Sequence, residues 1–316
     1  MRRDDMNIID KQFNELTLEI KNLSREEIFD NTKQSFFNIN SVTQKSMIDF
    51  FQRFNYWGKL DIENEEFEHF ELIVESLKDH LEDHIWLYNH LGDYRSKKLL
   101  FAILNNWYRC DFANLSSAHE KNFWHYFDLD LVSCEDEVMV DLGAYNGDTI
   151  SDFIKIYGDM AYKKIYAYEM SSDNFIHLEK NTKNFKNIVL RQVAVMDKEG
   201  TFFIGENSPD ASAYTVNDSN GIQVKGTSLD IDIKEKISLI KMDIEGSEQK
   251  ALLGSYKHIV NDKPKLLISV YHNHEDIWKI PRIIEDMTPD TYNFYLRSYG
   301  GNVFPTEIVL IALPKH

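Results

Sequence analysis

Val138-Met139-Val140-Asp141-Leu142-Gly143-Ala144-Tyr145-Asn146-Gly147-Asp148-Thr149 decides how this chain reads. Its first five residues are apolar except for Asp141, the pattern of a strand buried on both faces. Gly143 and Gly147 mark a tight turn, and Ile150, Phe153, Ile154 and Tyr157 then give a helical stripe near 149–158. A second apolar run, Ile165 to Tyr168, ends in Glu169, 22 positions after Gly147. Strand, glycine turn, helix and distant carboxylate together form the pattern of an adenosine site. The glycines admit a ligand close to the backbone, and the carboxylate accepts hydrogen bonds from ribose hydroxyls.

From about residue 128 onward strands and helices alternate. Apolar strand runs sit at 138–142, 164–168, 187–195, 237–242 and 265–271, with amphipathic stretches near 149–158, 172–181, 246–256 and 275–287. Continuous apolar strands separated by helices predict a parallel sheet covered on both faces. No helix follows Val195. The segment 200–226 reads instead as short strands and turns, one of them at Ser219-Asn220-Gly221. Two further strand runs, Tyr292 to Tyr299 and Glu307 to Ala312, close the chain with Gly300-Gly301 and Pro305 between them. So short a connection predicts an antiparallel pair.

The first part of the chain, to about Asn122, is helical in pattern. Ser24-Arg25-Glu26-Glu27 and Ser41-Val42-Thr43-Gln44 read as capping boxes. Met47, Phe50, Phe51 and Phe54 follow the second at helical spacing, and Gly58 ends that run. Phe67, Phe70, Ile73 and Leu77 mark the apolar side of another helix, with Glu63, Glu65, Glu66, Glu68 and Glu71 opposite. A further helix carries Leu99, Leu100, Ile103 and Trp107 after Gly92-Asp93. Aromatic stripes at this spacing read as core and the acidic face as solvated surface. The expected organisation is a helical domain over 1–125 and an α/β domain over 126–316.

Composition narrows the function. Of 316 residues 43% are hydrophobic and 28% charged, as in a soluble globular protein. A net charge of −17 repels phosphate backbones, so nucleic acid is not the expected partner. Cys110 and Cys134 form neither a disulfide framework nor a metal motif, which suits a reduced compartment. Arg2-Arg3 is followed by Asp4, Asp5 and Asn7 rather than an apolar run, and no 18-residue apolar stretch exists. A cytoplasmic location without a membrane span is the expectation.

The turn also selects among adenosine cofactors. Gly143-Ala144-Tyr145-Asn146-Gly147 lacks the third glycine of the dinucleotide fingerprint, and no Gly-Lys-Ser/Thr follows it. Asp148 at the helix entrance opposes a pyrophosphate. S-adenosylmethionine, with a sulfonium, an ammonium and a carboxylate but no phosphate, suits these residues better. Asp141 is expected to hold the ammonium, directly or through water, and backbone N–H groups from Ala144 to Gly147 the carboxylate.

The segment from about Tyr126 to Leu313 resembles the FkbM-type family of S-adenosylmethionine-dependent methyltransferases. The resemblance rests on Val140 to Thr149, Tyr168-Glu169, Thr227-Ser228-Leu229-Asp230 and Ile240-Lys241-Met242-Asp243-Ile244-Glu245-Gly246-Ser247-Glu248. Ser269-Val270-Tyr271-His272, Glu275-Asp276-Ile277-Trp278 and Tyr295-Leu296-Arg297 agree with it. It implies a Rossmann-like class I methyltransferase sheet, mostly parallel with an antiparallel terminal strand, beside an N-terminal helical domain that the resemblance does not cover.

The expected cofactor-binding residues are Asp141, Gly143, Ala144, Tyr145, Asn146, Gly147, Thr149, Glu169, Met170, Ala194 and Asp243. Met170 is placed over an adenine face and Ala194 at the third strand end. His272, Asp243 and Glu245 are the expected catalytic residues, with Glu248 and His274 close to them in sequence. His272 would take the acceptor's proton. The alternative is a divalent cation on Asp243, His272 and Asn273. Lys241 and Arg297 read as salt-bridge partners.

The expected reaction is methyl transfer to an acceptor oxygen, a sugar hydroxyl of a bacterial glycan or a small metabolite. A nicotinamide-dependent nucleotide-sugar reductase or epimerase, and a non-catalytic assembly module of a glycan-synthesis complex, are the competing readings. Homo-oligomerisation or a protein partner through the helical domain is the remaining expectation.

Overall fold

The protein is described by a computed structural model covering residues 7–53, 57–205, 216–217, 221–301 and 304–315. The chain forms two compact units. The first gathers Met1–Lys121, Val270–Arg282 and Asn293–Val309, and the second Asn122–Ser269, Ile283–Tyr292 and Leu310–His316.

The first 121 residues, all in the first unit, hold the α-helices α1 (Ile8–Asn22), α2 (Arg25–Asn38), α3 (Ser41–Arg53), α4 (Glu68–Val74), α5 (Leu81–His90), α6 (Tyr94–Arg109) and α7 (Phe112–Ala118) among the described residues. The Ser24–Glu27 capping box forms in full at α2. The second expected box does not form. Asn40 accepts the Thr43 N–H instead, and Gln44 turns back to the carbonyls of Phe36, Phe37 and Ile39. An asparagine one residue earlier is an equally good cap, and the end of α2 offers Gln44 orphan carbonyls. Phe54 lies outside the described residues.

Helix α4 starts later than its charge pattern suggests. Glu63, Glu65 and Glu66 sit in a turn closed by the Asp61–Glu66 bridge, whereas Glu68 and Glu71 are on the helix, and all five are exposed. Phe67, Phe70, Ile73 and Leu77 are buried. The helix continues into a π-helical turn, Glu75–Asp79. Leu99, Leu100 and Ile103 of α6 are also buried, and Asp93 caps that helix through the Ser96 N–H.

The α/β part contains β1 (Glu137–Leu142), α8 (Asp148–Tyr157), β2 (Tyr162–Tyr168), α9 (Ser172–Thr182), β3 (Ile188–Arg191) and β4 (Ala194–Val195). It continues with β5 (Gly200–Ile204), β6 (Val216–Asn217), β7 (Ile222–Thr227), α10 (Leu229–Asp232), β8 (Leu239–Met242), α11 (Glu248–Leu253) and α12 (Tyr256–Asp262). Last come β9 (Lys265–Ser269), α13 (Asp276–Met287), β10 (Tyr292–Ser298) and β11 (Ile308–Pro314).

Seven strands make one sheet in the order β10-β11-β9-β8-β1-β2-β3. β3, β2, β1, β8 and β9 run parallel. Val140, Leu142, Ile165, Leu239, Ile240, Leu266 and Leu267 are fully buried, as strands covered on both faces require. Register sets the site: Leu142 lies level with Tyr168 on one side and Met242 on the other. Gly143, Glu169 and Asp243, each the next residue, therefore leave the sheet at one edge, the carboxyl edge where ligands bind in open α/β sheets.

Two expectations are corrected. The run 187–195 is not one strand: β3 stays in the large sheet, while β4 joins a four-stranded sheet in the order β4-β7-β5-β6. The helix over 246–256 is broken into α11 and α12 at Gly254. There a Cβ would stand 2.0 Å from the Met196 carbonyl oxygen, so the backbone is drawn against that residue. The Ser219-Asn220 part of the expected turn lies outside the described residues. Among the described residues no helix is long and apolar enough to cross a membrane.

Candidate cofactor site

The glycine turn is built by crowding. Gly143 has φ +73°, and a Cβ there would lie 1.8 Å from the Asp243 carbonyl oxygen, so only glycine lets the ends of β1 and β8 converge. Tyr145 and Gly147 also have positive φ. Gly147 faces Thr182 and Leu178 of α9, where a Cβ would meet carbons at 3.0 and 3.1 Å. It supplies the close helix packing that the third glycine supplies in a dinucleotide turn.

Asp141 stands one residue before Leu142, the end of β1, and already has a partner within the protein. It is wholly buried and ion-paired to Lys241, 3.0 Å away, whose ammonium donates to the Gly143 carbonyl at 2.7 Å. Burial pushes the Asp141 carboxyl up to about 6. Burial works against the Lys241 charge, but attraction to Asp141 and Asp243 prevails and holds its pKa above the usual lysine value. The pair braces the turn from below. Three of the four N–H groups from Ala144 to Gly147 have partners within the protein: Ala144 donates to Tyr168 O, Tyr145 to Glu169 Oε2 and Gly147 to Ala144 O.

Glu169 is buried, accepting from Tyr145 N–H at 3.0 Å and Ser171 N–H at 2.7 Å. Burial raises its pKa, against these hydrogen bonds. Each carboxylate oxygen can accept more than one hydrogen bond, so the residue can tie β2 to the turn and still receive ribose hydroxyls. Met170 packs on the buried cluster of Ala194, Met196 and Phe202, so the structure brings together the two residues assigned to adenine. Asn146 Oδ1 accepts the Asp148 N–H and Thr149 N–H donates to Asp148 Oδ1, ordering the helix entrance. These residues fit S-adenosylmethionine in one respect above all: around the turn stand Asp141, Asp148, Glu169 and Asp243, with Lys241 the buried cation among them.

At the end of β8, Asp243 Oδ2 accepts the Tyr126 hydroxyl at 2.5 Å. Glu245, with φ +55°, places a carboxylate oxygen within 4.8 Å of one of Asp243's. Glu248 is fully buried and accepts the Ile244 N–H at 2.8 Å, so it closes the loop before α11. Sequence reasoning missed His125 and Tyr126, which lie beside the expected domain boundary. Burial lowers His125 to about 4, although Asp243 pulls it the other way. The Trp124-His125-Tyr126-Phe127 run was the available signal, but an aromatic run reads first as core.

The remaining expected residues belong to the first unit. His272 is buried and its ring lies 4.2 Å from that of Tyr271. Asn273 donates from both its backbone and side-chain nitrogens to Asp276 Oδ2 at 2.9 Å, at the first residue of α13. His274 lines an aromatic cavity of about 50 Å³ with His69, Phe51, Trp57 and Trp107. Arg297 is buried on Asp93 at 2.6 Å and on Ser96 Oγ at 3.0 Å, the expected salt bridge.

The strand order, with β11 inserted between β9 and β10, and the glycine turn at the carboxyl edge define a class I, Rossmann-like methyltransferase fold. Residues 141–301, just over half of the 316, match the methyltransferase FkbM domain. The chain belongs to the FkbM methyltransferase family.

No curated protein matches the sequence. Among solved structures, methyltransferase FkbM from Methylobacillus flagellatus KT is 23% identical with a TM-score of 0.63 over 76% of this chain and 62% of its own. This chain thus spans less than two thirds of that protein's length, and the likeness is one of fold. An rRNA methylase from Streptococcus thermophilus is 16% identical, TM-score 0.36, over 58% of this chain and 89% of its own. Aeropyrum pernix fibrillarin, with natively bound S-adenosyl-L-methionine, is 10% identical, TM-score 0.38, over 57% and 67%.

Proposed function

We propose that this protein transfers a methyl group from S-adenosylmethionine to an oxygen of an acceptor, a sugar hydroxyl of a bacterial glycan or small metabolite. One observation beyond family membership carries the reading: the glycine turn is surrounded by carboxylates. That field favours a cationic cofactor and opposes the pyrophosphate of a dinucleotide. Gly143 and Gly147 shape the turn, Glu169 receives the ribose, and Met170 with Ala194 flanks the adenine. When bound, the cofactor supplies an electrophilic methyl on a sulfonium sulfur.

An acceptor hydroxyl needs its proton removed as it attacks. We assign that task to His272, three residues beyond β9, with Asp243 and Glu245 at the end of neighbouring β8 orienting the acceptor. Residues 126–316 form the catalytic domain in this reading, and the helical domain over 1–125 serves a second copy of the chain or a protein partner.

Calorimetry with S-adenosylhomocysteine should show binding that Glu169→Ala weakens at least tenfold. Tighter binding of a nicotinamide dinucleotide would overturn the assignment. His272→Ala should depress turnover with cofactor affinity nearly unchanged. Turnover lost to a chelator and restored by a divalent cation would instead favour the metal route through Asp243. Mass spectrometry of glycans with and without the protein identifies the acceptor by one missing methyl.

A further inference from the structure

We propose that Tyr126, with His125 stacked on it, is a positioning residue that holds the Asp243 carboxylate as counter-charge to the cofactor's sulfonium. This rests on the cofactor assignment above. Tyr126 adopts φ +67°, a left-handed conformation unusual for an aromatic residue and kept only where the surroundings enforce it. Its ring is buried and stacks on His125 at 3.9 Å with planes 8° apart. Its hydroxyl lies 2.5 Å from Asp243 Oδ2 and 3.4 Å from Ser269 Oγ, the last residue of β9. The strained backbone therefore delivers one phenol to the ends of β8 and β9.

The alternative partner for Asp243 makes the phenol informative. Lys241 lies two residues upstream, its ammonium 5.3 Å from the Tyr126 ring centre. It already serves Asp141 at 3.0 Å and the Gly143 carbonyl at 2.7 Å. A carboxylate free to rotate would be drawn toward that ammonium, and the pair would cancel its field. A phenol that donates to Asp243 Oδ2 fixes that carboxylate's direction without adding a positive charge of its own. S-adenosylmethionine and S-adenosylhomocysteine differ by one methyl and one positive charge, so the ratio of their affinities reads that field directly.

Calorimetry on the full chain with each ligand tests this. The wild type should bind S-adenosylmethionine about tenfold more tightly than S-adenosylhomocysteine. Asp243→Asn should bring the ratio close to one. Tyr126→Phe, which keeps the ring, should cut it at least threefold while S-adenosylhomocysteine affinity stays within twofold. His125→Leu, which removes the stacked ring, should cut the ratio in the same direction and serves if Tyr126→Phe fails to fold by circular dichroism. An unchanged ratio in these variants, or equal loss for both ligands, overturns the positioning role. A wild type that binds both ligands equally sinks this inference alone. A wild type that binds neither sinks the cofactor assignment as well.

Discussion

At the scale of single residues, the site is held by groups that never need to touch a ligand. Gly143 is the sharpest case. Gly143→Ala combines a positive φ with a Cβ placed 1.8 Å from a backbone oxygen, so either β1 or β8 must shift. The expected cost is on the order of 3 kcal/mol, read as a lower urea midpoint at unchanged slope. The Asp141–Lys241 pair makes a second prediction. Lys241→Met leaves a wholly buried carboxyl without its partner and should cost about 3 kcal/mol. Adding Asp141→Leu should recover most of that loss, because two apolar side chains leave no uncompensated charge. If the double variant is no more stable than the single one, Asp141 acts through something other than Lys241.

At the scale of elements, what the sequence revealed and what it hid have different physical causes. Strands β1, β8 and β9 were legible because burial on both faces writes an apolar run into each, and β2 because its buried positions include Ile165, Ala167 and Tyr168. The glycine turn was legible because close backbone approach excludes every other residue. The split of 187–195 was not, since the small sheet that takes β4 is assembled from non-local pairing with β7. Glu248 looked like a site residue because capping carboxylates and ligand-binding carboxylates share the same positions after a strand. Tyr126 was hidden by the opposite bias, its function resting on a contact 117 residues away. Arg297 was correctly read as a salt-bridge residue, and it ties β10 to the N-terminus of α6. Asp93→Ala removes the α6 cap and strands a buried guanidinium, so a loss of about 3–5 kcal/mol is expected. Asp93→Asn keeps a capping oxygen and should lose less. Equal losses in the two variants would show that the charge, and not the cap, dominates.

At the scale of the whole molecule, buried histidines make the first unit acid-sensitive. Burial lowers His69 and His84 to about 4 and His274 well below its ordinary 6.5, His69 adding to the effect on His274. All three lie in the first unit. An imidazole whose folded pKa is depressed binds fewer protons than in the unfolded chain between the two values. Its stabilising contribution is complete above about 6.5 and is lost as pH falls toward 4. Each such histidine removes up to about 1.4 kcal/mol per pH unit across that window.

The second unit has opposing terms. His125, lowered to about 4, acts in the same direction, but Asp141, raised to about 6, and Glu169, also raised, act against it. A carboxyl with a raised folded pKa contributes most at low pH and loses that contribution as pH rises through the folded value. Acidification from pH 7 to 5 should therefore loosen the first unit more than the second. Hydrogen exchange at the two pH values, corrected for the intrinsic rate, should show protection falling first in α4, α5 and α6, with β1 and β2 nearly unchanged. His84→Gln, which removes one titrating group from the buried site beside Ser76, should flatten the slope of stability against pH between 6.5 and 4. Uniform loss of protection across both units, or an unchanged slope in that variant, would locate the acid response elsewhere than in these histidines.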